Sequence, residues 1–120
     1  MGESVIEKLD IYPRCFDFSK AVVNLSKEVD LVVIHRPMMM QLVKAATSVS
    51  ANMMEASESE SRRDFISKLS IAIKESKEAL YWLRLLRETE LISDKSGALF
   101  TECGEIVKIL SSIKRKVSAS

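Results

Sequence analysis

"FISKLSIAIKESKEALYWLRLL", Phe65 to Leu86, is the stretch that decides the fold. Phe65, Leu69, Ala72, Ser76, Ala79, Leu83 and Leu86 recur at alternating steps of four and three, the interval that stacks side chains on one face of an α-helix. Ile66, Ile73 and Leu80 widen that face. A half-buried strand would alternate every second residue instead. Upstream, Ser61 followed by Asp64 resembles a capping box, so the spacing predicts a helix over 62–91, about 45 Å long at 1.5 Å per residue.

The same periodicity recurs on both sides. Ile11, Cys15, Phe18, Val22, Leu25 and Val29 mark a helix over 10–29. Pro37 disfavours helical geometry at Arg36 and suits the first turn of a new helix, predicted over 38–57 with Met38, Leu42, Ala45, Val49, Asn52 and Ala56 on its seam. "LISDKSG" supplies a turn with Ser93 or Asp94 as cap. Leu99, Cys103, Ile106, Leu110, Ile113 and Val117 then mark a last helix over 95–117. With only three glycines and two prolines there are too few turn residues for a β-rich chain. The expectation is all-α: one domain over 1–120, folded as an up-down-up-down four-helix bundle.

Eighteen basic residues against seventeen acidic give no bulk pull toward nucleic acid or an anionic membrane, so any such partner must be held by a local patch. Cys15 and Cys103 fall on different helices without metal-ligand spacing and read as two buried thiols in a reducing compartment. No targeting segment and no membrane span is evident, so the expected location is cytoplasmic.

Enzyme chemistry finds little to work with. A di-metal carboxylate bundle needs two Glu-x-x-His pairs, and the single His35 has no Glu three positions before it. That histidine lies in the connection between helices one and two, no Ser sits in a Gly-containing elbow, and Gly2, Gly97 and Gly104 form no phosphate loop. Neither metal, cofactor nor catalytic residue is expected.

Ser48, Asn52 and Glu55 lie on one stripe of helix two, opposite Glu75, Ser76 and Glu78 of helix three. Small residues, among them Ala45, Ala51, Ala72 and Ala79, let the two helices approach. Two readings stay open: a hydrogen-bonded cluster between the helices that fixes register, or carboxylates on a solvated face.

These residues also carry a resemblance. "ATSVSANMMEASESESRRDFISKLSIAIKESKEALYWLRLLRETELI" resembles the four-helix bundle proteins encoded in intervening sequences of bacterial 23S ribosomal RNA genes. The match is close from Gln41 to Ile92: Ser48, Asn52 and Glu55 fit the family's Ser-x-x-x-Asn-x-x-Glu pattern, followed by Arg62, Arg63 and Phe65 and then by Glu75, Ser76 and Glu78. Ala56 stands where relatives often carry Gly. The resemblance implies a left-handed bundle that assembles into a ring, a homopentamer, without catalytic activity, and with suspected nucleic-acid binding. A likeness of fold extends to the accessory proteins of diversity-generating retroelements, which look like adaptors for an enzyme and nucleic acid, although fold alone does not carry function.

Candidate contacts to RNA or DNA are Arg62 and Arg63 at the start of helix three, Arg84 and Arg87 near its end, and Lys114, Arg115 and Lys116 on the tail. The tail cations also suit a helix C-terminus without any partner, whereas Arg62 and Arg63 sit at the positive end of their helix and gain nothing there. "LYWLRLL" is apolar almost all round, so Tyr81, Trp82 and Leu85 are expected to face another subunit. The leading function is a non-catalytic, nucleic-acid-associated scaffold. The alternative is a protein adaptor that holds an enzyme partner.

Overall fold

The computed structural model describes residues 10–93 and 97–119. Among them it holds four α-helices and no strand: α1 (Ile11–Glu28), α2 (Arg36–Ser57), α3 (Arg62–Glu88) and α4 (Ala98–Ala119), with a 3-10 turn at Val33–His35 before α2. The molecule is elongated, 47 × 24 × 19 Å, and α3 at about 40 Å supplies most of the long dimension.

Helix starts and stops follow local chemistry. Ser61 accepts a hydrogen bond from the Asp64 backbone N–H at 3.0 Å, which satisfies one of the four free donors at the start of α3. Pro37 sits in the first turn of α2, which begins two residues before the predicted 38 because the 3-10 turn leads straight into it. At its other end α3 stops at Glu88, short of the predicted 91. The Leu91 N–H bonds the Leu86 carbonyl at 2.9 Å and the Glu90 N–H bonds the Arg87 carbonyl at 3.0 Å, with Glu90 in the left-handed region at φ 62°. This Schellman ending lacks the glycine that usually announces it, so the sequence pattern ran past it. Gly97, at φ 69°, directly precedes α4, which starts at Ala98 instead of 95. Ser93 is exposed and outside the helix, and Asp94 lies outside the described residues.

Each helix packs on two others: α1 on α2, α2 on α3, α3 on α4, and α4 back on α1. All seven seam residues from Phe65 to Leu86 are buried, as are Ile11, Cys15, Phe18 and Val22 of α1 and Cys103, Ile106, Leu110, Ile113 and Val117 of α4. Each large aliphatic side chain so placed contributes about 1.5–3 kcal/mol by leaving water. Ser19 is the polar exception on α1: its hydroxyl donates to the Ala46 carbonyl at 2.6 Å and lies 2.7 Å from the Ser50 hydroxyl, pinning α1 to α2. Among the described residues, no helix is long and apolar enough to cross a membrane.

Candidate nucleic-acid interface

Two contacts fix which way the edges of α3 face. Lys68 pairs with Glu55 of α2 at 3.0 Å, so the edge through Lys68, Glu75 and Trp82, at steps of seven, turns toward α2. The Arg87 guanidinium lies 5.3 Å from the Phe100 ring centroid, so the opposite edge turns toward α4.

The charges of α3 are unevenly spread across this division, with Lys68 on the α2 side and Glu88 on the α4 side as exceptions and Lys74 on the outer crest. Asp64, Glu75 and Glu78 fall on the half turned toward α2, whereas Arg63, Lys77 and Arg84 fall on the half turned toward α4. Steps of eleven, three and seven residues keep the four bases on one stripe of about 32 Å, and all four are exposed. Glu88, on the same stripe, accepts a hydrogen bond from Arg84 Nε at 2.8 Å.

A similar bias occurs on α4. Arg14 of α1 binds Glu102 at 2.7 Å and Glu105 at 3.0 Å, which holds both acids on the side toward α1. The Glu102 hydrogen bonds, opposed by partial burial and then aided by Glu105, raise the Arg14 pKa. The Cys103 thiol donates to the Ser76 carbonyl of α3 at 3.3 Å, and Lys114 lies eleven residues, three turns, beyond it on the same side. Arg115 follows on the outer surface beside the α3 edge, Lys108 lies on the crest of the helix, and Lys116 turns toward the α1 side. A chain of nearly zero net charge thus concentrates its cations along the outer α3–α4 seam, where a local field acts on a polyanion.

Of the residues expected to touch nucleic acid, Arg63 and Arg84 share that stripe, with Arg62 at its start and Arg87 at its inner margin, while Lys114 and Arg115 border it from α4. Lys74, Lys77 and Lys108 are not among the residues expected from the sequence, all of which lie near the ends of helices three and four. The signal was present as helical spacing, but it acquires meaning only when the side facing α4 is known.

The polar motif of α2 and α3 divides into local pairs. Asn52 donates to the Ser48 carbonyl at 2.9 Å and to the Ser48 hydroxyl at 3.1 Å, both within α2. Glu55 is exposed and bridges to Lys68, whose pKa its carboxylate raises. Ser76 is fully buried and donates to the Ile73 carbonyl at 2.8 Å, within its own helix. Its partners are therefore neither Asn52 nor Glu55, because its place on the seam directs it into the core. Glu78 is half-buried on the α2-ward half.

Two buried polar atoms on the α2-facing edge of α3, Glu75 Oε2 and Trp82 Nε1, have no hydrogen-bond partner among the described residues. Trp82 and Leu85 are half-buried, while Tyr81 is 57% exposed and meets the Trp82 ring edge-on at 4.9 Å. The most exposed large apolar side chains on α1 and α2 are Phe16, Met40 and Met54, at 60%, 68% and 62%. Phe16 and Met54, with Tyr12, Pro13, Ser50 and Ala51, line an apolar hollow of about 470 Å3 between α1 and α2. Besides the helix-three surface expected from "LYWLRLL", the methionines of helix two, which the sequence marks as core and interface filler, and Phe16 of α1 leave apolar surface exposed.

Burial pushes the Cys15 and Cys103 thiols up to about 12, with the Glu102 charge adding to the effect. Both are free. No cluster of three potential metal ligands occurs among the described residues.

The 23S rRNA-intervening sequence protein family matches residues 7–112. The chain belongs to that family. A crystal structure of a protein of unknown function from the S23 ribosomal protein family of Bacteroides thetaiotaomicron is similar to it, at 36% identity over 96% of this chain and 99% of that one, with a TM-score of 0.78. No curated protein matches it. Membership in the 23S rRNA-intervening sequence protein family bears out the resemblance read from residues 41–92.

Proposed function

We propose that this family member is a non-catalytic scaffold that forms a ring and presents the outer α3–α4 seam of each subunit to nucleic acid. The observation that carries this reading is the uneven charge on α3: Arg63, Lys74, Lys77 and Arg84 line its outer face toward α4, with Glu88 the one acid among them, while Asp64, Glu75 and Glu78 lie toward α2 with Lys68. Four exposed cations on one face of a helix set up a local positive field in a chain of nearly zero net charge. Such a stripe suits phosphate binding, because its cations release the counterions condensed on a nucleic acid.

In this reading successive helices run antiparallel, giving an up-down-up-down bundle of left-handed sense. Support for the antiparallel order comes from the short connections and from the Ser19–Ala46, Glu55–Lys68 and Arg87–Phe100 contacts, and the left-handed sense is what the family resemblance implies. A second copy covers the apolar surface of Phe16 and Met54 and gives Trp82 Nε1 and Glu75 Oε2 the partners they lack. Five copies close the ring, as the resemblance implies. Repetition of a modest cationic seam around it multiplies weak phosphate contacts into useful affinity.

A gel-shift series with RNA and DNA tests the reading. Replacing Arg63, Lys74, Lys77 and Arg84 together by Gln is expected to abolish retention, while replacing the exposed Lys20 and Lys27 of α1 by Gln leaves it intact. Equal loss in both variants, or no retention of either nucleic acid by the unmodified protein, contradicts it. Co-purification of a stoichiometric protein partner in place of nucleic acid favours the adaptor role.

A further inference from the structure

The cationic stripe ends in a shallow depression of a different character. Two adjoining hollows, of about 260 and 230 Å3, share Arg84 and Glu88. Tyr81 and Leu85 border the first, Arg87 and Phe100 the second. Tyr81, more than half exposed, is the aromatic ring on that border. Arg87 lies with its guanidinium 5.3 Å from the Phe100 ring centroid, a cation–π contact that orients it. A cation oriented by such a contact loses less freedom on binding an anion than a free surface side chain does.

A platform next to two guanidinium groups discriminates between forms of nucleic acid. A duplex keeps its base faces within its own stack and offers phosphates, whereas a single strand can lay a base flat on an aromatic ring while its backbone meets the cations. We propose that this depression is a single-strand binding site, in which Tyr81 stacks a base and Arg84 and Arg87 hold the adjoining phosphate. The proposal rests on the nucleic-acid reading above and adds the class of ligand. Glu88 regulates the site: its ion pair with Arg84 is largely exposed, at 65–70%, so the pair is weak and gives way to a phosphate.

Fluorescence anisotropy with labelled oligo-U, oligo-dT and a duplex RNA of matched charge tests this on the full chain. Tyr81→Ala is expected to weaken single-strand binding about tenfold and leave duplex binding within about twofold, as befits the loss of one stacked base. Tyr81→Phe keeps the wild-type affinity, and Glu88→Gln strengthens single-strand binding. Equal affinity for oligo-U and oligo-dT supports a site that reads base faces and phosphate, and preference for either supports it and shows that the 2′-hydroxyl or the thymine methyl is read as well. Equal losses for single strand and duplex in Tyr81→Ala overturn the single-strand site while leaving nucleic-acid binding in place. Absence of binding to all three probes overturns both.

Discussion

Arg14 on α1 grips Glu102 on α4 through two parallel hydrogen bonds, Nε to Oε2 and Nη2 to Oε1, each 2.7 Å. The α1–α4 seam is the thinnest of the four, so this fork closes the bundle where apolar packing is least. Bidentate geometry lifts it above an ordinary surface pair. Arg14→Ala is expected to lower stability by about 1–2 kcal/mol in urea denaturation. Arg14→Lys recovers less than half of that, because a single ammonium cannot match the fork. A double-mutant cycle with Glu102→Gln measures the coupling.

Glu90 holds a left-handed backbone position that glycine occupies at lower cost. Glu90→Gly is expected to raise stability by about 1 kcal/mol, read as a higher urea midpoint with unchanged slope. An unchanged or lowered midpoint refutes the assignment of strain there.

The buried thiols make stability depend on alkaline pH. In the unfolded chain they ionise near their ordinary 9.0, whereas in the folded chain Cys15 and Cys103 keep their protons to about 12. Their stabilising effect is whole below pH 9 and declines as pH rises toward 12, by about 1.4 kcal/mol per pH unit for each thiol. Comparing urea unfolding at pH 8 and pH 10 in the unmodified protein and in Cys15→Ala/Cys103→Ala isolates the effect. The variant, though less stable at pH 8, should lose less between the two pH values.

Assembly is expected to depend on the exposed apolar residues of α1 and α2. Phe16→Asp with Met54→Asp should yield a folded monomer by light scattering and circular dichroism, since neither side chain belongs to the core. A ring that persists in this variant places the contact elsewhere.

Much of the architecture was readable because helical burial obeys a simple period. The seam from Phe65 to Leu86 marks α3 by itself, and Ser61 marks its start. The end of α3 was hidden, since Glu90 adopts a glycine-like conformation that no composition rule announces. The functional surface was harder still. Lys74 and Lys77 look like ordinary solvated residues in a string, and they acquire a common direction only when Glu55–Lys68 and Arg87–Phe100 show which flank faces which neighbour. Ser76 misled for the opposite reason: a polar residue on a seam suggests a bridge, while its hydroxyl is satisfied by its own helix.

The salt dependence of nucleic-acid affinity tests the central claim most directly. Plotted as log affinity against log salt concentration for oligo-U, Lys74→Gln/Lys77→Gln should flatten the slope by about 1.4, or about 0.7 for each phosphate contact removed. The same slope in variant and parent would place those lysines away from the phosphates and contradict the account.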